Sequence, residues 1–157
     1  MEDFYQENPP TAEQIRHTLD VADYTVRLAK AMGCDEHLVD LLHIAALLHD
    51  IGCPKARLLH GKSFPPYQEQ YGKEIATEWL KDYDELTAEE KGWLADVVGL
   101  HHHPRQATEM NFRPLFEGDT IVNMYEGYYK PGQEQHVFDT LMVTEQGRML
   151  FKDMFLK

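Results

Sequence analysis

Leu42 to Leu48 form a short run dominated by leucine, isoleucine and alanine, and the next two residues are His49 and Asp50. An imidazole followed at once by a carboxylate is unusual chemistry for the end of an apolar segment. Burying such a pair costs several kcal/mol unless hydrogen bonds or ions satisfy it. Three arrangements meet that condition: a hydrogen-bonded core pair, a helix end that reaches water, or two ligands to a metal ion. Neighbouring helical residues point about 100° apart, so both side chains reach one ion only near a frayed helix end. Gly52 and Pro54 are expected to stop the helix there.

Other residues of the same chemistry recur along the chain. His17 lies off the charged stripe of its helix, on the arc of Val21, Tyr24 and Leu28, and reads as an inward or semi-buried histidine. Asp119 precedes the apolar set Ile121, Val122 and Met124, with Asn123 four places on and sharing its face. A helix-start role for Asp119 is the competing explanation. His101, His102 and His103 close another apolar helix before Pro104. Three consecutive side chains point three ways, so not all serve one ion, and a solvated, dipole-stabilised helix end is the simpler alternative. His17, His49, Asp50 and Asp119 together make a mixed nitrogen and oxygen donor set. That set suits Fe, Mn, Co, Ni or Zn better than Ca, and its lack of thiolate argues against a structural zinc knot.

The elements that would position these residues read as helices throughout. Thr11 caps a helix over about 12–32, ended by Gly33, with Arg16, Asp20, Asp23, Arg27 and Lys30 as a solvated stripe. Ile15, Leu19, Ala22, Val26 and Ala29 form the opposite, apolar stripe. Asp35 caps a second helix running to Asp50, with His37 and His43 exposed. Residues 53–66 read as a linker whose Lys55, Arg57, His60 and Lys62 are either ordinary surface charges or an anion-binding rim beside His49 and Asp50. A third helix spans about 67–83. Thr87 and Glu90 make a capping box for a fourth, running to about His101. Residues 105–117 read as a polar connector, and a fifth helix is expected to begin near Asp119. After a turn at Pro131-Gly132 the last helical region starts near Val137, broken near Val143. There Met149, Leu150, Met154 and Phe155 recur as core packing. The expected fold is all-α: one compact helical-bundle domain over 1–157, of about six helices, with 1–10 an irregular lead-in.

Composition narrows the partners. Asp and Glu outnumber Lys and Arg by 27 to 15, a net charge of −12 that repels nucleic-acid backbone and anionic lipid. No long nucleic acid and no membrane is expected as partner, while a small anionic substrate still suits a metal-lined pocket. The acidic start is unlike a signal peptide, and two cysteines make no disulfide framework. Both point to a cytoplasmic protein. Oligomeric state is not legible.

The residues also resemble a known family. His17, about 30 residues before His49-Asp50-Ile51-Gly52, and a later Asp119 look like the HD-domain superfamily of metal-dependent phosphohydrolases. The resemblance runs through nearly the whole chain and is similar to a bacterial subgroup of small, single-domain HD proteins. Tyr67-Gln68-Glu69, the stretch from Gly99 to His103, Glu117-Gly118-Asp119, Ile121 to Glu126, and Thr144 to Arg148 carry it. It implies that His17, His49, Asp50 and Asp119 bind one divalent transition metal. Relatives with two metals add histidines from the middle of the domain. Here the first of those is missing, with Glu69 a substitute oxygen ligand, while His101 and His102 are present. The lysine that often follows the motif is replaced by Cys53, and Lys55 is the nearest cation.

The implied activity is hydrolysis of a small phosphate ester or nucleotide through a metal-activated water. Asp50 would be ligand and water-orienting base, and His101, His102 and Lys55 would neutralise phosphate charge. Two other functions stand beside it: a di-iron oxygenase of the same architecture, and a nucleotide-binding regulatory module without catalysis.

Overall fold

The computed structural model describes residues 9–157, and the expected lead-in over 1–10 lies almost wholly outside them. The described residues form nine helices and no strand. They are α1 (Ala12–Ala31), α2 (Glu36–Leu48), α3 (Cys53–His60), α4 (Pro65–Leu80), α5 (Ala88–Leu100), α6 (Pro104–Glu109), α7 (Arg113–Tyr125), α8 (Glu134–Leu141) and α9 (Glu145–Phe155). None is long and apolar enough to cross a membrane.

The caps read from sequence do their work in the fold. Thr11 accepts from the Gln14 amide at 3.1 Å, and Asp35 from the Leu38 amide at 2.8 Å. Thr87 and Glu90 close a reciprocal capping box at the start of α5. Each satisfies amides that a helix start leaves without carbonyl partners.

Prolines account for the main differences from the sequence reading. Pro54, Pro104 and Pro114 all stand in the first turn of a helix. The missing N–H is not needed there, and the fixed φ of proline favours a helix start. Residues 53–60 are therefore helical, not linker, and α6 lies in the expected polar connector. α7 starts six residues before Asp119, which sits in mid-helix and caps nothing. Pro54 marks the beginning of α3 as much as the end of α2.

α1 packs against α2 and α7, and α4 packs against α3 and α5. The main core joins Val21 and Ala22 of α1, Leu42 and Ala46 of α2, Leu94 and Val98 of α5, and Leu115 and Val122 of α7. A second cluster gathers Leu28, Ile121, Val137, Phe138, Met142 and Phe151. The apolar stripe expected on α1 holds at Ala22 and Ala29, but Ile15 and Leu19 are about half exposed (47% and 53%). On α9 the expected Met149 faces outward, and Phe151 is fully buried in the core instead.

Two close approaches set the geometry around the site. A Cβ on Gly52 would overlap the Gln68 carbonyl oxygen and approach the Gly72 nitrogen to 2.5 Å, so α4 lies directly on the turn after Asp50. Farther along, Glu117 of α7 is fully buried and accepts from the Thr144 hydroxyl at 2.7 Å and its amide at 3.3 Å. Thr144 caps α9, and Gly147 leaves the room that the Glu117 carboxylate occupies.

Candidate metal centre

The end of α2 supplies the first two groups. His49 is the last helical cap residue, and its Nδ1 donates to the Ala46 carbonyl at 2.6 Å. That bond puts a ring proton on Nδ1 and turns Nε2 toward the cluster. Asp50 follows in the turn, where the helix no longer forces neighbouring side chains apart. Its Oδ2 lies 3.3 Å from His49 Nε2.

α1 and α7 bring two more groups to the same point. His17 Nε2 is 3.3 Å from Asp50 Oδ2 and 3.1 Å from Asp119 Oδ1. Asp119 Oδ1 is also 3.6 Å from His49 Nε2 and accepts from Asn123 Nδ2 at 3.3 Å. The far ring nitrogen of His17, Nδ1, donates to the Glu126 carboxylate, 3.2 and 3.1 Å from its two oxygens. A carboxylate behind a ligating imidazole fixes its tautomer and raises its basicity. Glu126 was not singled out from sequence. The signal was there, because Asp119, Asn123 and Glu126 step by four and three along one face of α7.

The end of α5 reaches the opposite side of Asp50. His101 donates Nδ1–H to the Val98 carbonyl at 2.7 Å and directs Nε2 to within 3.3 Å of Asp50 Oδ1. The rings of His49 and His101 stand edge to face, 5.2 Å between centroids. His17, His49 and Asp50 form one group able to hold an ion, and Asp50, His101 and His102 form another. Asp50 belongs to both, one oxygen turned to each.

The electrostatics match this arrangement. Burial opposes charge on His17, but hydrogen bonds to Asp119 and Asp50 outweigh it and carry its pKa up to about 10. His49 moves the same way, burial again opposed and overcome, chiefly by the Asp50 charge. Burial raises Asp50 and Asp119, yet the surrounding imidazoles hold both well below the ordinary carboxylate range. His102 goes down to about 4, through burial and then the neighbouring His101. It is a neutral imidazole near pH 7, able to coordinate or hydrogen-bond but carrying no charge.

The donor set fits a cation. The Nε2 atoms of His49, His101 and His102 are buried and make no geometrically sound hydrogen bond among the described residues. With Nδ1 of His49 and His101 donating to backbone carbonyls, their Nε2 atoms face carboxylate oxygens across 3.3–3.6 Å. Buried imidazoles and carboxylates that face one another are held together by protons, as the raised pKa values of His17 and His49 imply for the metal-free fold, or by a positive ion that replaces those protons. His17, His49, Asp50 and Asp119 would hold one ion, in a set of borderline ligands suited to Fe, Mn, Co, Ni or Zn.

Two other residues singled out from sequence lie elsewhere. Glu69 is buried on α4, with its carboxylate 3.0 Å from His103 Nε2 and outside both ligand groups. Lys55 holds its ammonium 5.0 Å over the Tyr71 ring. A cavity of about 500 Å³ opens onto the cluster, and Arg57, Gln14, Asn123 and His102 are among the residues lining it. Gln14 had no signal in sequence beyond standing one turn before His17.

No curated protein and no solved structure gives a significant match to this chain. The family described as HD domain matches residues 15–142, a span that holds every residue of the cluster. On that match the chain belongs to the HD-domain family.

Proposed function

We propose that this protein is a phosphohydrolase that uses a divalent transition metal to cleave a small phosphate ester or nucleotide. HD-domain proteins are mostly metal-dependent phosphohydrolases. The observation that carries the reading here is the convergence of the His17, His49 and His101 Nε2 atoms on the shared carboxylates of Asp50 and Asp119 in a buried site. A divalent ion bound there lowers the pKa of coordinated water toward about 7 and polarises a phosphoryl oxygen.

The chain's own groups divide the remaining work. Glu126, the Ala46 carbonyl and the Val98 carbonyl lock His17, His49 and His101 with Nε2 inward. Asn123 steadies Asp119 from the next helical turn. Asp50 joins the two ligand groups. Its carboxylate, shared between the two groups, is placed to orient a water by accepting its hydrogen bond. His102 lines the cavity as a neutral imidazole able to bond a phosphoryl oxygen. A cavity of about 500 Å³ supports a small substrate. Free thiols at Cys34 and Cys53 suit a reducing, cytoplasmic setting.

Elemental analysis of the purified protein, followed by a screen of phosphate esters and nucleotides with that metal supplied, tests the reading. Turnover that disappears on chelation and returns with the metal supports it. The sharing of Asp50 by two ligand groups also suits a dinuclear oxygenase. Two irons, a visible absorption band and no ester cleavage would move the assignment there. Tight nucleotide binding without turnover would move it to a regulatory module.

A further inference from the structure

The geometry points to Arg57, oriented by Gln14, as the side chain that binds the anionic group of the ligand in the cavity over the metal centre. Helical phase selects it. Because residues 53–60 are α3 and not a loop, Cys53 and Arg57 stand one turn apart and both line the cavity. Lys55, two positions from either, faces away to Tyr71. Arg57 is the one Lys or Arg among the described residues lining the cavity, where Glu13, Asp50, Asp119 and Glu126 supply four carboxylates.

Its bonding keeps its charge available. Arg57 Nη2 donates to the side-chain oxygen of Gln14 at 2.6 Å, and Gln14 Nε2 donates to the Asp50 carbonyl oxygen at 3.1 Å. The chain Arg57–Gln14–Asp50 ties the guanidinium to the backbone of the residue shared by both ligand groups. Gln14 is neutral, and Arg57 makes no ion pair among the described residues. Asp50, Asp119 and Glu126 already face imidazoles. A guanidinium held by one nitrogen in an acid-rich cavity keeps its other donors for an incoming anion, and its planar fork matches phosphate oxygens. Arg57 also lies in the last turn of α3, where a cation is favoured by the helix dipole alone. That structural role predicts nothing about ligand binding, which separates the two.

This inference rests on the phosphohydrolase reading only for the choice of phosphate as ligand, and its test does not need turnover. Inorganic phosphate is titrated calorimetrically into the metal-loaded full-length protein, with metal content and Tm measured for each variant. Arg57→Gln is expected to raise the phosphate Kd about 10- to 100-fold, the worth of one charged hydrogen-bonded contact, at unchanged metal content. Arg57→Lys, which keeps the charge at the helix end but loses the fork, should fall between. Gln14→Leu should weaken phosphate binding at intact metal content by releasing the guanidinium. Arg27→Gln, which removes an exposed charge elsewhere on α1, should leave the phosphate Kd unchanged. Phosphate binding that is absent from the wild type, or equal in wild type, Arg57→Lys and Gln14→Leu, overturns the assignment even where phosphate esters are hydrolysed. Arg57-dependent phosphate binding without hydrolysis of any ester sustains it and removes the enzymatic reading instead.

Discussion

Glu126 stands behind His17 and outside both ligand groups, yet it should set much of the metal affinity. Its carboxylate is 3.1 Å from His17 Nδ1, so Glu126→Gln removes a charged anchor while keeping the shape. Groups placed behind a metal-ligating histidine commonly change metal affinity about 10- to 100-fold. At a cation concentration of about 100 Kd the wild-type fold gains about 2.7 kcal/mol from binding. The same concentration is then about 1 to 10 Kd for the variant, and the gain shrinks to about 0.4–1.4 kcal/mol. For a chain of this size about 1 kcal/mol moves Tm by about 2–4 °C. The wild-type rise of about 5–11 °C on adding metal should fall to about 1–6 °C in the variant. The assay is thermal unfolding of chelator-treated protein, titrated with Mn, Fe, Co, Ni and Zn.

The pH dependence of the same experiment carries a sign. In the metal-free protein the folded pKa of His17 is raised to about 10 from an ordinary 6.5. Its proton therefore stabilises the metal-free fold fully below about pH 6.5, and that contribution drains away as pH rises toward 10. A cation must displace this proton, so the metal-induced rise in Tm should grow from pH 6 to pH 9. No rise with any of the five cations at pH 8 would refute the cluster as a metal centre. An identical rise in wild type and Glu126→Gln would refute the anchoring argument alone.

Three further outcomes follow from named contacts. Asp50→Ala should abolish metal binding and turnover together, since both ligand groups use its carboxylate, and activity retained without metal would defeat the mechanism. Gly52→Ala should lower stability by at least ~2 kcal/mol, because its Cβ overlaps α4 backbone that no rotamer can clear, and calorimetric unfolding reads the loss. Burial, reinforced by the Asp50 charge, pushes the Cys53 thiol well above its ordinary range, and it bonds to Gln68. Cys53 should therefore stay protonated at pH 8 and alkylate far more slowly than an unfolded control, as peptide mapping by mass spectrometry would show.

How the sequence announced this protein depended on the kind of signal. Caps formed by one residue and its neighbour three places on, at Thr11, Asp35 and Thr87, were legible because the interaction is local. Prolines misled, since Pro54, Pro104 and Pro114 read as breaks in a helical pattern while each stands in the first turn of a new one. Missing α3 had a chemical consequence: without its phase, Lys55 and Arg57 look equivalent, and Lys55 was the one singled out. The convergence of His17, His49, Asp50 and Asp119 came from order along the chain and family resemblance, because contacts 30 to 100 residues apart leave no periodic trace. Exposure of Ile15 and Leu19 on an apparently apolar stripe shows the same limit, as periodicity reveals a face but not what lies against it.

The Glu117–Thr144 link bears on where this domain can be cut. The family match stops at residue 142, just before α9, and a designer of minimal fragments would be tempted to stop there too. Yet α9 hands its capping hydroxyl and amide to a fully buried acid two residues upstream of Asp119. Deleting the tail would take away those donors and leave the buried acid facing Arg113 at 3.7 Å, and the cost would fall on the helix that carries Asp119. Residues 144–157 are thus a structural dependency of the half that carries the His and Asp cluster, though no part of the family match covers them.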